Sequence, residues 1–284
     1  MIITRAPYRI SFFGGGSDYE AWYKDHGGRV LTSTINKYAY LSARYMPPFL
    51  GSRYRIMWSK MENVDKREDI VHAGVRGCLQ YLGIDEGFEI NHAGDLPARS
   101  GLGSSSSFTV AMLNALHALK GEHVTKAELA SEAVIVEQDV LKETVGIQDQ
   151  IECAHGGLNM INIDKMGNWF IEPVIVKPSR MADFSSHLML FFTGLQRFAS
   201  DIAADQISNF ANREPQLNRT MMMVDEGVRI LTGDGPLDYF GELLHEGWML
   251  KRGMSNLVSP AAVDDIYSRA RQAGAIGGKL LGAG

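Results

Sequence analysis

The sequence predicts a mixed α and β chain folded as two domains, and three observations carry that reading. Its 284 residues are enough for two packed cores. Strand-like and helix-like segments are interleaved over the first half. After Pro178 the texture turns mostly helical, which places a boundary near 180 and gives domains 1–180 and 181–284.

The strands announce themselves by β-branched and aromatic residues: IITRAPYRISFF at 2–13, RVLTSTI at 29–35, YAYLSARYM at 38–46, RYRIMWSK at 53–60 and FEINHAGD at 88–95. Between Asp69 and Leu82, apolar side chains recur at helical spacing. A second helix follows the serine run, with Phe108, Met112, Ala115, Leu116 and Leu119 on one face and Gly121 as its stop. A third covers about 127–141. GLNMINID and WFIEPVIVK, joined by Met-Gly-Asn, predict a hairpin. Beyond 180, HLMLFFTG at 187–194 predicts a buried strand. A long helix is expected from about Arg197 to Leu231, then shorter ones near 238–251 and 260–273.

Composition removes several classes of function. Hydrophobic residues make up 45% and charged ones 21%, as in an ordinary folded protein, and no apolar stretch reaches membrane-spanning length. The net charge of −5 argues against a broad nucleic-acid surface. Two separated cysteines form neither a zinc pattern nor a disulfide framework. No secretory leader opens the chain, so the expected location is the cytoplasm.

PARSGLGSSSS, Pro97 to Ser107, is the sharpest local signal. One serine suffices to cap a helix. Four, following Gly-Leu-Gly, suggest a turn whose N–H groups and hydroxyls face a negative group at a helix start. An over-capped helix after a flexible linker is the plain alternative. No Walker-type Gly-x4-Gly-Lys-Ser/Thr occurs.

Glu137 is the second signal. On a wheel of about 100° per residue it lies mid-stripe, with Ala130, Leu141 and Val134 on one side and Ala133 and Val140 on the other. A carboxylate there needs a cation, a metal or a proton. A buried salt bridge and a metal site are both open at this point. Asp149, twelve residues on in GIQDQ, supplies a second acid that could act as a base.

Together these pieces resemble the GHMP kinase superfamily. RAPYRISFFGGGSDY is similar to its first motif, PARSGLGSSSS to its nucleotide phosphate loop, and GGKLLGAG to the beginning of its glycine-rich third motif. Within the superfamily, GGGSDY, PARSGLGSSSS and FTGLQRFASDIAADQ (192–206) resemble the heptose 7-phosphate kinases. The resemblance implies an N-terminal α/β domain, a C-terminal ferredoxin-like α/β sandwich, and transfer from ATP to the anomeric hydroxyl of a phosphorylated heptose. A fucokinase- or galactokinase-like enzyme is the nearest rival, and a non-catalytic nucleotide-binding module a more distant one. A phosphosugar and ATP are the implied partners, without nucleic acid or membrane, and a homodimer is left open.

Roles follow the same resemblance. Asp149 matches the catalytic acid and Arg9 the basic residue facing it. Pro97, Ser100, Gly101, Leu102, Gly103, Ser104, Ser105 and Ser106 match the ATP loop; Ser105 and Glu137 match the ligands of Mg²⁺. Gly15, Gly16, Ser17 and Asp18 match the sugar side. Arg99 departs from the pattern, standing where relatives carry a glycine. It could reach a phosphate as a bidentate donor or simply sit exposed on the loop. Arg5, Lys37, Arg44, Arg53 and Arg55 are further candidates for the distal phosphate, against the plainer account of solvated strand charges. Relatives continue past the third motif, so the C-terminal domain is expected to be incomplete at Gly284.

Overall fold

The computed structural model describes residues 1–194, 199–254 and 258–282. In chain order it contains β1 (Ile2–Phe13), α1 (Glu20–His26), β2 (Gly28–Tyr45), β3 (Tyr54–Met57), β4 (Met61–Val64), α2 (Ala73–Tyr81), β5 (Phe88–Gly94) and α3 (Ser104–Lys120). There follow α4 (Lys126–Ile135), a π turn (Val136–Val140), α5 (Gln148–His155), β6 (Leu158–Ile163), β7 (Trp169–Pro173) and α6 (Pro178–Ser186). Four more helices complete the described chain: α7 (Ala199–Ser208), α8 (Glu214–Thr232), α9 (Asp238–Arg252) and α10 (Ala261–Gln272). None of the described helices is long and apolar enough to cross a membrane.

Two compact units result, each assembled from separate stretches of chain. The first comprises Met1–Arg9, Thr34–Ala98 and Gly103–Gly156. In it the later half of β2 pairs antiparallel with β5, β5 runs parallel to β3, and β3 pairs antiparallel with β4. One face of these strands is apolar, and α2, α3 and α4 cover it. Leu41, Ile56, Phe88 and Ile90 from the strands meet Val75, Leu79, Met112, Leu116 and Val136 from the helices, all buried. The alternation along β5 produces this: Phe88 and Ile90 point inward, and two residues is the strand period.

The second unit comprises Ile10–Ser33, Arg99–Leu102 and Gly157–Gly284. Here the earlier half of β2 pairs with β6, and β6 with β7, both antiparallel. Its core joins Phe12, Phe13 and Leu31 to Phe184, Met223, Val224, Leu231 and Phe240. The rings of Phe12 and Phe240 meet edge-on at 5.3 Å between centroids. After Pro173 the described elements are all helical.

Three local expectations are corrected. The segments at 29–35 and 38–46 form one strand, because Asn36 and Lys37 are exposed without turning the backbone. The long helix after 197 is two helices split at Phe210–Asn212, since Pro215 lies in the first turn of α8, where its missing N–H costs nothing. Its expected start at Arg197, and part of FTGLQRFASDIAADQ, lie outside the described residues, as does Ala283–Gly284 of the third motif. Lastly, His187–Gly194 forms no strand. No ladder joins it to a strand among the described residues, and Met189 (79% exposed) and Phe191 (62%) face outward. An apolar run alone cannot distinguish a strand from other apolar segments.

Candidate active site

The serine run lies inside α3, not before it. Gly103 is the N-cap, in the left-handed conformation at φ 70°, and no side chain caps the helix. Glycine adopts that conformation without the strain a side chain would meet. The four serines therefore occupy the first turn and divide their work by direction. Ser107 donates to the Pro7 carbonyl at 2.7 Å and stands 3.2 Å from Cys153, whose thiol burial holds neutral by raising its pKa. Ser106 is buried and donates to Glu137 at 2.9 Å. Ser105 is exposed, and Ser104 half-buried.

Arg9 and Asp149 meet beside this helix start. Arg9 is at the end of the first unit's share of β1 and only 5% exposed; Asp149 is in the first turn of α5. The guanidinium donates twice, Nε to Oδ1 at 2.6 Å and Nη2 to Oδ2 at 2.5 Å. Such a fork fixes the plane of the carboxylate and leaves each oxygen a further lone pair. A side chain at Gly103 would lie 3.0 Å from Arg9 Cγ and 3.5 Å from Asp149 Oδ2. The pair and the loop thus share one small space, and glycine keeps it open.

Glu137 is 1% exposed, as the helical wheel predicts, and sits in the π turn. The extra residue of that turn closes a Leu141 N–H to Val136 carbonyl bond at 2.9 Å, a geometry frequent at functional sites. No ion pair among the described residues includes Glu137. Its partners are neutral: Ser106 and Gln150 donate to Oε2 at 2.9 and 2.5 Å, and Thr109 donates to Oε1 at 2.9 Å. Burial first, and the Glu143 charge second, push its pKa up to about 8 against the pull of these donors. The salt-bridge alternative is thereby removed.

These residues suit a hard divalent cation. The donors at hand are one carboxylate and hydroxyls, all oxygen, and no three His, Cys, Asp or Glu side chains cluster as a metal set among the described residues. One carboxylate with nucleotide phosphates is the usual donor supply for Mg²⁺. The buried Gln150 Oε1 beside Glu137 is also without a hydrogen-bond partner among the described residues. Sequence reasoning missed Thr109 and Gln150. Thr109 falls three residues after Ser106 on the same helix face, but a neutral polar residue at that spacing is no signal by itself.

The second unit holds the remaining predicted residues except Pro97. Gly14 and Gly16 are left-handed, at φ 81° and 102°, and a Cβ on Gly14 would collide with Arg29 O at 1.9 Å. Ser17 ties this turn to β2, donating to Gly14 O at 2.7 Å and accepting from Arg29 N at 3.0 Å. Asp18 is buried and accepts from Gly16 N at 3.1 Å. Gly15 is exposed. In the loop, Arg99 is left-handed at φ 62° and Gly101 at φ 72°. Leu102 is buried, and the shielded Ser100 hydroxyl has no hydrogen-bond partner among the described residues. The third motif packs here: Lys251 donates to the carbonyls of Leu280 and Gly282, and a Cβ on Gly282 would be 2.7 Å from Gly101 O. Pro97, of the first unit, is exposed.

The spare arginines have local employment. Arg44 and Arg55 flank Glu89 at 2.8 and 3.6 Å, Arg53 donates to the Asp85 carbonyl, and Arg5 stacks over Tyr38 at 4.5 Å.

Residues 69–157 match the model of the GHMP kinases N terminal domain. A D-glycero-alpha-D-manno-heptose 7-phosphate kinase of Campylobacter jejuni is 24% identical across all of this chain and 86% of its own. A galactokinase of Pyrococcus furiosus is 26% identical with the same two coverages, 100% and 86%. Among solved structures, a D-glycero-D-manno-heptose 1-phosphate kinase from Bacteroides thetaiotaomicron superposes with a TM-score of 0.73 at 24% identity, over 100% of this chain and 86% of that one.

The chain is an α+β protein with the fold of the GHMP kinases. Residues 69–157 match their N-terminal domain, and the chain is an ATP-dependent phosphotransferase.

Proposed function

We propose that this kinase phosphorylates a sugar, transferring the γ-phosphoryl group of ATP to the anomeric hydroxyl of a phosphorylated heptose. D-glycero-D-manno-heptose 7-phosphate would become the 1,7-bisphosphate, a step toward GDP-heptose for surface polysaccharide. The observation that carries the reading is the Arg9–Asp149 fork 3.5 Å from where a Gly103 side chain would begin. A base aimed at a glycine-floored helix start is what transfer to a hydroxyl requires. The full-length likeness to a heptose 7-phosphate kinase supports the choice of sugar.

In this reading Asp149 takes the proton of the acceptor hydroxyl as its oxygen bonds to phosphorus and the bond to the ADP oxygen breaks. Arg9 holds the Asp149 carboxylate in plane. The loop from Pro97 to Ser106 cradles the phosphates, and Glu137 and the Ser105 hydroxyl would hold the metal. Mg²⁺, when bound, supplies charge neutralisation on the phosphates. Gly15, Gly16, Ser17 and Asp18 hold the sugar, and Arg99 reaches its distal phosphate. Nucleotide binding and catalysis are assigned to residues 1–180, a stretch that contributes to both compact units, and the enzyme to the cytoplasm, where ATP is supplied.

A coupled ADP-release assay over heptose 7-phosphate, unphosphorylated heptose, galactose and fucose tests this, with product position read by phosphorus NMR. Turnover only on the phosphorylated heptose, at the anomeric oxygen, is the expected result. Turnover on free galactose or fucose would move the assignment to the second reading, a galactokinase- or fucokinase-like enzyme, which the galactokinase likeness over the whole chain favours.

A further inference from the structure

Glu137 is surrounded by donors that are neutral, buried and unequal in number on its two oxygens. Oε2 accepts from both Ser106 and Gln150, at 2.9 and 2.5 Å, and a carboxylate oxygen has about two such places. Oε1 accepts from Thr109 alone, at 2.9 Å, among the described residues. One lone pair on Oε1 therefore remains for a ligand. Resting on the metal reading above, we infer that Thr109 and Gln150 are positioning residues, which turn Glu137 so that Oε1 is the oxygen offered to the metal of the bound nucleotide.

The elements explain why these two side chains can do so. Thr109 is on α3 with Ser106, one turn further from the helix start, and its hydroxyl also lies 3.1 Å from the Ser105 carbonyl. A β-branched side chain in a helix has few rotamers, so this hydroxyl is a fixed post. Gln150 belongs to α5 and is fully buried. It follows Asp149 directly, so the bond from Gln150 to Glu137 also fixes how α5 presents the base. Groups of this kind behind a metal ligand typically matter about 10- to 100-fold in metal affinity.

The test is calorimetric titration of the full chain with β,γ-imido-ATP, once with Mg²⁺ and once with EDTA, alongside melting curves without metal. Thr109→Val should weaken binding about tenfold or more with Mg²⁺ and leave binding in EDTA unchanged. Thr109→Ser should restore it. Gln150→Met, of similar volume, should show the same metal-selective loss, which covers the case in which Thr109→Val folds poorly. Wild-type Mg²⁺ binding in both Thr109→Val and Gln150→Met overturns the inference, and so does equal weakening with and without Mg²⁺. Glu137→Gln separates the two levels. If it binds the Mg²⁺ complex like wild type, the metal reading itself fails. If it loses Mg²⁺-dependent binding while Thr109→Val and Gln150→Met keep it, the positioning idea fails alone.

Discussion

At the scale of single residues, the site rests on two acids with opposite surroundings. Asp149 is clamped by a buried cation, whereas Glu137 has only neutral donors. Asp149→Asn keeps an oxygen for Arg9 and should stay folded and bind ATP. Turnover should fall about 10²- to 10⁴-fold, the usual worth of a general base, measured by steady-state kinetics. Near-normal turnover would remove Asp149 from that role. Arg99 permits a second test. Its left-handed backbone suits glycine, so Arg99→Gly should leave the melting temperature almost unchanged while raising KM for a phosphorylated acceptor. An unchanged KM would make it an ordinary loop arginine. Glu137 was legible because helical periodicity exposes a misplaced charge. Asp149 was legible only through its motif, and Thr109 and Gln150 were not, since neutral polar residues are common in any helix.

Elements were read better than their ends and partners. The helix after the serines was predicted with its stop at Gly121, and Gly121 is indeed left-handed at its C-cap. The cap itself was misread: serines next to a glycine look like caps, but the left-handed turn at Gly103 lets the helix begin one residue after it. Gly103→Ala should therefore cost about 1–2 kcal/mol in urea unfolding from backbone strain alone. Activity should fall further, because the new methyl would press on Arg9 Cγ at 3.0 Å. Full activity would separate Gly103 from the catalytic pair. The His187–Gly194 segment was misread for another reason. Its hydrophobicity is real, but strand formation depends on a neighbour that sequence pattern does not reveal.

For the molecule as a whole, the alternation of strands and helices was visible, whereas the discontinuity of the two units was not. Residues 2–9 of β1 fall in one unit and 10–13 in the other, and no change in composition marks the passage. Acid and alkali should act on stability through different groups. Burial lowers the His92 pKa to about 4, and lowers that of His72, so these histidines favour the folded state at neutral pH. Their contribution is lost as pH falls from the ordinary histidine range toward about 4. Glu137 does the reverse. Raised from 4.5 to about 8, it stabilises the fold at low pH and loses that contribution as pH rises through this interval. The metal-free melting temperature should thus peak between about pH 5 and 7. Glu137→Gln should flatten the alkaline side and His92→Gln the acid side. A profile unmoved by either substitution would show that other groups govern it.

The left-handed backbone at Arg99 has a consequence for how such a chain can diverge. Exchanging this arginine for glycine removes a positive charge without asking the main chain to take a new path. If Arg99 meets the acceptor's phosphate as proposed, preference between charged and uncharged acceptors would change in a single mutational step, with the backbone of the loop unaltered.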